Sequence, residues 1–177
     1  MNRSTIALVA MLIAPATLSA QQGTTIEIGA GVGAAILTNG GTVTNIGIPG
    51  GGVVGQAPLY TTIFFGKGIM VQPEVSLNIL SGGGETITTL GGVLGFGYAF
   101  SGAAANSPYV TVNGTIQSFS GGGSSNSEFA VGARVGYRVL VNEGFAVGFE
   151  GGYRRWFDSE LGEITIAIRL GGVVSSP

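Results

Sequence analysis

The stretch EFAVGARVGYRVL, residues 128–140, decides how the chain must fold. Phe129, Val131, Ala133, Val135, Tyr137 and Val139 fall on alternate positions. Glu128, Gly132, Arg134, Gly136 and Arg138 fall between them. Strict alternation is the signature of a β-strand, whose side chains point to opposite faces in turn. One face is bulky and apolar, and the other carries charge or nothing at all. An Arg facing lipid near the bilayer midplane costs about 2–4 kcal/mol. The face with Arg134 and Arg138 is therefore expected to point inward, and the apolar face outward.

The same parity runs along the chain. In TTIEIGAGVGAAIL (24–37), Ile26, Ile28, Val32 and Ile36 oppose Glu27 and three glycines. PLYTTIFF (58–65) reads as a strand of undecided facing. IMVQPEVSLNIL (69–80) sets Val71, Val75, Leu77 and Ile79 against Gln72 and Glu74. LGGVLGFGYAF (90–100) is greasy on one side and nearly bare on the other. YVTVNGTIQSF (109–119), FAVGFEGGYRRW (145–156) and EITIAIRLGG (163–172) continue the pattern, with Glu150, Arg154 and Arg169 on the inward parity. About eight strands result, most near the 9–11 residues that cross a bilayer when tilted. The predicted fold is all-β, an antiparallel up-and-down transmembrane β-barrel of about eight strands. Closure leaves no strand edge unpaired in lipid. Eight strands enclose a space only wide enough for side chains, which accounts for inward glycines.

Composition agrees. Charged residues make up 9% of the 177, against about a quarter in an ordinary soluble domain. Mean hydropathy is +0.48, yet no internal run is long and apolar enough for a membrane helix. Cysteine and histidine are absent, which excludes disulfides, thiolate metal sites and any His base. The formal net charge of −2 gives no reason to expect a nucleic-acid partner.

Residues 1–20 read as a cleaved signal peptide: Arg3, the apolar IALVAMLIAPATL, then Leu18-Ser19-Ala20 before the cut. An uncleaved anchor is the alternative. Residues 21–177 form the barrel domain. With the N-terminus in the periplasm, the Gly triplets at 50–52, 82–84 and 121–123 fall in extracellular connections, read as flexible loops within 38–56, 81–85 and 120–127. GKG (66–68), SGAAANS (101–107) and VNEG (141–144) are short periplasmic turns.

TIEIGAGVGAAI, VQPEVSLNI, SPYVTVNG, VGARVGYRVLVNEGFAVGFEGGYRRWF and EITIAIRLGG together resemble the small outer-membrane β-barrel family of Gram-negative bacteria, the OmpA/OmpX-like, porin-family domain. The resemblance spans the mature chain and implies residence in the cell outer membrane. It also implies contact with outer-membrane lipid and lipopolysaccharide, and biogenesis by the barrel-assembly machinery. Family members anchor, adhere, stabilise the envelope or form narrow pores. Their last strand usually ends in an aromatic residue, whereas this chain ends GGVVSSP. No peptidoglycan-binding domain is expected after the barrel.

Glu27, Glu74, Glu128, Arg134, Arg138, Glu150, Arg154 and Arg169 are the expected lumen charges, which must pair because an unpaired buried charge is costly. They form either a solid electrostatic plug or a gate whose pairs switch. Glu128 starts its strand and has a rim position as its alternative. Tyr153, Arg155, Trp156 and Phe157 are expected as interface anchors, an aromatic girdle in which Arg155 reaches headgroups or a lipopolysaccharide phosphate. Asp158, Glu160 and Glu163 read as a solvated loop.

GAGVGA (29–34) matches a dinucleotide fingerprint but lacks an acid at the needed spacing and continues as strand. GKG lacks the Ser or Thr of a phosphate-binding loop. No cofactor is expected. Without histidine, the Ser-His and Asp-His chemistry of enzymatic small barrels is closed. The leading expectation is a non-enzymatic structural or surface-interaction barrel. A narrow gated channel, and a soluble barrel binding an apolar ligand, are the alternatives.

Overall fold

The computed structural model describes residues 24–38, 42–47, 59–82 and 85–175. The signal segment, its cleavage site and the triplet 50–52 lie outside the described residues. Nine strand segments are described: β1 (Thr25–Thr38), β2 (Thr42–Gly47), β3 (Leu59–Phe65), β4 (Ile69–Gly82), β5 (Glu85–Ala99), β6 (Ser107–Gly121), β7 (Ser124–Asn142), β8 (Phe145–Trp156) and β9 (Gly162–Ser175). Every neighbouring pair is antiparallel, in the order β2-β1-β3-β4-β5-β6-β7-β8-β9, and β1 pairs with β9 to close the barrel. β2 meets Gly33–Thr38 of β1 and β3 meets Thr25–Ala30 along the same edge. They share one strand position, so the barrel has eight.

The alternation fixes inside and outside as the arginines required. Val112, Val135, Ile166 and Val174 are more than 60% exposed on the outer face. Glu27, Glu74, Arg134, Arg138, Glu150 and Arg169 are buried in the lumen. β3, undecided from sequence, turns Tyr60, Thr62 and Phe64 inward, in register with Gly29, Glu27 and Thr25.

Large lumen side chains sit opposite glycines on the neighbouring strand. Arg134 pairs with Gly152, Arg154 with Gly132, Tyr109 with Gly136, and Gln72 with Gly95. A Cβ on Gly152 would lie 2.7 Å from the Arg134 stem, and one on Gly132 would lie 2.8 Å from Cβ of Arg154. The bare face of the sequence is the clearance that lets arginines lie flat across a narrow barrel.

The loop reading fails at three places. Residues 42–47, inside the expected loop 38–56, are strand β2. β4 runs to Gly82 and β5 begins at Glu85, so most of 81–85 is strand. Residues 120–127 are a hairpin turned by two residues, with φ of +56° at Gly122 and +79° at Gly123. A two-residue hairpin turn with positive φ at both positions matches strand twist, and glycine reaches it without strain. A glycine cluster suggests slack chain by composition, but at 121–123 it makes a tight turn possible.

β7 has 19 residues, far more than a tilted crossing needs. β8 pairs with it only from Ala130 onward, and β3 pairs with β4 only as far as Val75. Among the described residues, the upper parts of β4, β5, β6 and β7 therefore extend past the pairing of β3 and β8 as a four-stranded sheet. Its tip is polar, with Ser118 and Ser127 hydroxyls 2.8 Å apart and Ser124 donating to the Gly121 carbonyl. Among the described residues, no strand covers its β7 edge over Ser124–Glu128.

The opposite end of the barrel is capped by an apolar cluster of Phe64, Met70, Ala99 and Tyr109, with Ala103 packed against it. β3 is the shortest element there, and Pro73 of β4 interrupts its ladder: register runs Tyr60–Glu74, then resumes at Ile63–Val71. Proline has no N–H to give a ladder.

A Gly123→Val substitution forces a β-branched residue into the left-handed region and should cost about 1–2 kcal/mol. Urea unfolding in micelles measures it, and unchanged stability would show that the turn does not need its geometry.

Candidate functional site

The lumen charges form three layers between the capped end and the hairpin end. Nearest the cap, Arg138 of β7 donates from Nε to Glu27 of β1 at 2.6 Å and from Nη1 to the Ala103 carbonyl at 2.7 Å. The other Glu27 oxygen accepts from the Tyr60 hydroxyl at 2.7 Å. The Arg138 guanidinium also lies 5.2 Å from the centre of the Phe64 ring.

The middle layer joins four strands. Arg134 of β7 grips Glu74 of β4 with both terminal nitrogens, Nη2 at 3.0 Å. Arg169 of β9 donates from Nη2 to Glu74 and, at 2.8 Å, to Glu150 of β8. Its Nε meets the second Glu150 oxygen at 2.8 Å. Tyr109 donates to Glu150 at 3.0 Å, and Arg169 lies 4.7 Å from the centre of the Tyr60 ring. Fork-to-carboxylate geometry is what makes such pairs strong and directional.

At the hairpin end, Arg154 lies 3.1 Å from Glu163, and Trp156 donates its indole N–H to Glu163 at 2.8 Å. Arg154 is also 5.7 Å from the indole ring centre. Four arginines and four glutamates thus balance within the barrel.

Three expectations require correction. Trp156 was expected in the interface girdle. It is 3% exposed and faces the lumen, because it shares parity with Glu150, Gly152 and Arg154. Glu163 was expected in a solvated loop. It is fully buried at the start of strand β9, on the parity of Thr165 and Arg169, where it satisfies both Arg154 and Trp156. Glu128 makes no ion pair among the described residues and is half-buried above the top layer, the rim alternative. Tyr153, Arg155 and Phe157 do face outward and are exposed, with Phe157 stacked on Phe129 at 5.7 Å. Parity, already visible in RRW and EITIAIR, was the signal that would have moved Trp156 and Glu163 inside.

The layers divide the free lumen space. A cavity of about 50 Å³ lies on the hairpin side, lined by Arg134, Arg154, Trp156 and Thr115. Another of about 20 Å³ lies on the capped side, lined by Glu27, Gln72 and Arg138. Each has the size of a few water molecules at most. Among the described residues, no group of acids is arranged to hold a metal.

No family model matches the chain, and no curated protein sequence matches it. Solved structures match its shape. Ail, the attachment invasion locus protein of Yersinia pestis, aligns with a TM-score of 0.54 at 14% identity, covering 87% of this chain and 100% of that one. Neisserial surface protein A aligns at 0.57 and 10% identity, over 84% and 96%. The outer membrane protein OprG from Pseudomonas aeruginosa aligns at 0.53 and 11%, over 88% and 98%. All three are eight-stranded outer-membrane barrels, and the likeness is one of fold.

Removing the Glu74 charge leaves Glu150 as the one acid shared by Arg134, at 3.7 Å, and Arg169, at 2.8 Å. Glu74→Gln should cost roughly 3–5 kcal/mol in urea unfolding, while Glu128→Gln should stay within about 0.5 kcal/mol. Equal effects would refute the layered network. Trp156 is the sole tryptophan, so its fluorescence reports the lumen. Brominated lipid should quench it poorly, and strong quenching would return it to the girdle.

Proposed function

We propose that this chain is an integral outer-membrane β-barrel protein of a Gram-negative bacterium, non-enzymatic, with a structural or surface-interaction role. The observation that carries the proposal is the inversion of the barrel: aliphatic and aromatic side chains cover the outside while paired charges fill the inside. Water rewards the opposite arrangement, and lipid rewards this one. A soluble barrel built to hold an apolar ligand needs an apolar interior, and this lumen is lined by arginine and glutamate.

In this reading the capped end, with both strand termini, faces the periplasm. The four-stranded sheet of β4–β7 stands outside the cell, where its serine-rich tip meets solvent and its β7 edge offers backbone groups to a partner strand. A cleaved leader at 1–20 takes the chain to the periplasm, and the barrel-assembly machinery inserts it among outer-membrane lipid and lipopolysaccharide. Likeness in fold to an attachment protein and a surface protein supports an outward-facing role.

A gated channel is the second reading, favoured by the charged lumen. It requires the Glu74–Arg134–Arg169–Glu150 layer to part, since that layer lies between the two small cavities. Planar-bilayer recording separates the readings. The structural reading expects no current, even with Glu150→Ala, and steady conductance overturns it in favour of the channel.

Outer-membrane fractionation with unheated and boiled SDS gels tests the placement. A membrane-fraction band that shifts on boiling is expected; a soluble band without a shift refutes the proposal. Val135→Arg gives the energetic counterpart. Val135 is 63% exposed, so the change should cost about 2–4 kcal/mol in lipid vesicles. A cost near zero, as expected for a water-exposed position, would refute the lipid face.

A further inference from the structure

Among the outward-facing positions of the described strands, one carries a charge: Arg155 of β8. Its neighbours on that face are Tyr153 and Phe157, both exposed. None of the described residues forms an ion pair with it, since the acids nearest in sequence serve elsewhere. Glu163 is committed to Arg154 and Trp156 inside the barrel, and Asp158 and Glu160 lie beyond the strand end.

Beside Arg155 the outer surface is indented. Two cross-strand rows run side by side over β5, β6, β7 and β8. The first is Leu94–Gly114–Val131–Arg155, and the second is Phe96–Val112–Ala133–Tyr153. Gly114 and Ala133 are the small members, and the groove lined by these rows opens where they sit. A Cβ added at Gly114 would touch only the Phe129 ring, at 3.8 Å. The floor carries no side chain of its own at Gly114, and the Phe129 ring, stacked on Phe157, borders it on the hairpin side. An apolar channel that ends at an uncompensated guanidinium has the shape and charge of one kind of ligand.

We propose that this groove seats one acyl chain of a phosphate-bearing membrane lipid, with the phosphate paired to Arg155. The apolar rows offer the chain dispersion contacts that a smooth barrel wall lacks. The guanidinium fork matches phosphate oxygens in a bidentate pair, and the lipid supplies the counter-charge that the protein does not. The inference rests on the membrane placement proposed above and adds a specific lipid position to it.

The test uses the folded barrel in zwitterionic micelles, offered diphosphoryl lipid A or the same lipid stripped of phosphate, with retention read by native mass spectrometry. The wild-type chain is expected to keep one phosphorylated lipid per barrel and to hold the stripped form at least about tenfold less well. Arg155→Gln should erase that preference. Gly114→Leu, which fills the groove floor, should lower retention while keeping the charge. Equal retention of both lipid forms by the wild type overturns the proposal without any variant. So does an Arg155→Gln barrel that still prefers the phosphorylated form. A boiling-dependent gel shift is checked on every sample. Loss of the shift in the wild type would instead refute the membrane reading beneath the proposal.

Discussion

Glu74, Arg134, Arg169 and Glu150 tie β4, β7, β9 and β8 together across the lumen, and the remainder of the barrel is arranged around that tie. Each partner has left water, and removing an ion from water costs several kcal/mol unless its partners replace the lost hydration. Bidentate geometry, shared oxygens and the Tyr109 hydroxyl supply that replacement. The value of such a layer lies as much in register as in stability. A slip of one residue in β7 would carry Arg134 and Arg138 to the lipid side and Val135 into the lumen. The network therefore selects one strand alignment among those the repetitive valines and glycines would accept.

The glycines belong to the same constraint. An eight-stranded lumen cannot hold a side chain from every inward position. Gly132, Gly136 and Gly152 sit where their neighbours lay Arg154, Tyr109 and Arg134 across the barrel. Spacing large residues against absent ones lets four arginines occupy a space that uniform medium-sized residues would overfill. The outer face faces no such crowding and carries mostly branched and aromatic side chains, with Gly114 and Ala133 as small members.

Parity made most of this legible in the sequence. Arg134, Arg138, Glu150 and Arg169, on β7, β8 and β9, announce the inner face, because a lipid-facing surface would not hold four such charges. Two residues at strand ends escaped for a physical reason. Trp156 has an apolar ring that suits a girdle and an N–H that suits a buried acceptor, so its composition argues both ways. Glu163 follows a turn rich in acids, and local charge suggests solvent until β9 is seen to begin at Gly162. The glycine triplet at 121–123 misled in the opposite direction: the property that makes glycine loose in a linker also makes it fit a two-residue turn. Partner choice at the projecting sheet is not written in periodicity, because alternating serines serve any strand that faces water.

The hoop is not uniformly fastened. β9 is zipped to the whole of β1, from Thr25–Ser175 to Thr38–Gly162, so the terminal strands form a strong seam. Among the described residues β3 is different: it meets Thr25–Ala30 on one side, and on the other its ladder lapses at Pro73. A barrel fastened this way parts beside its second strand rather than where its ends meet. Amide exchange would reach the β3–β4 backbone before the β1–β9 joint, and a lateral breach into the bilayer would open there.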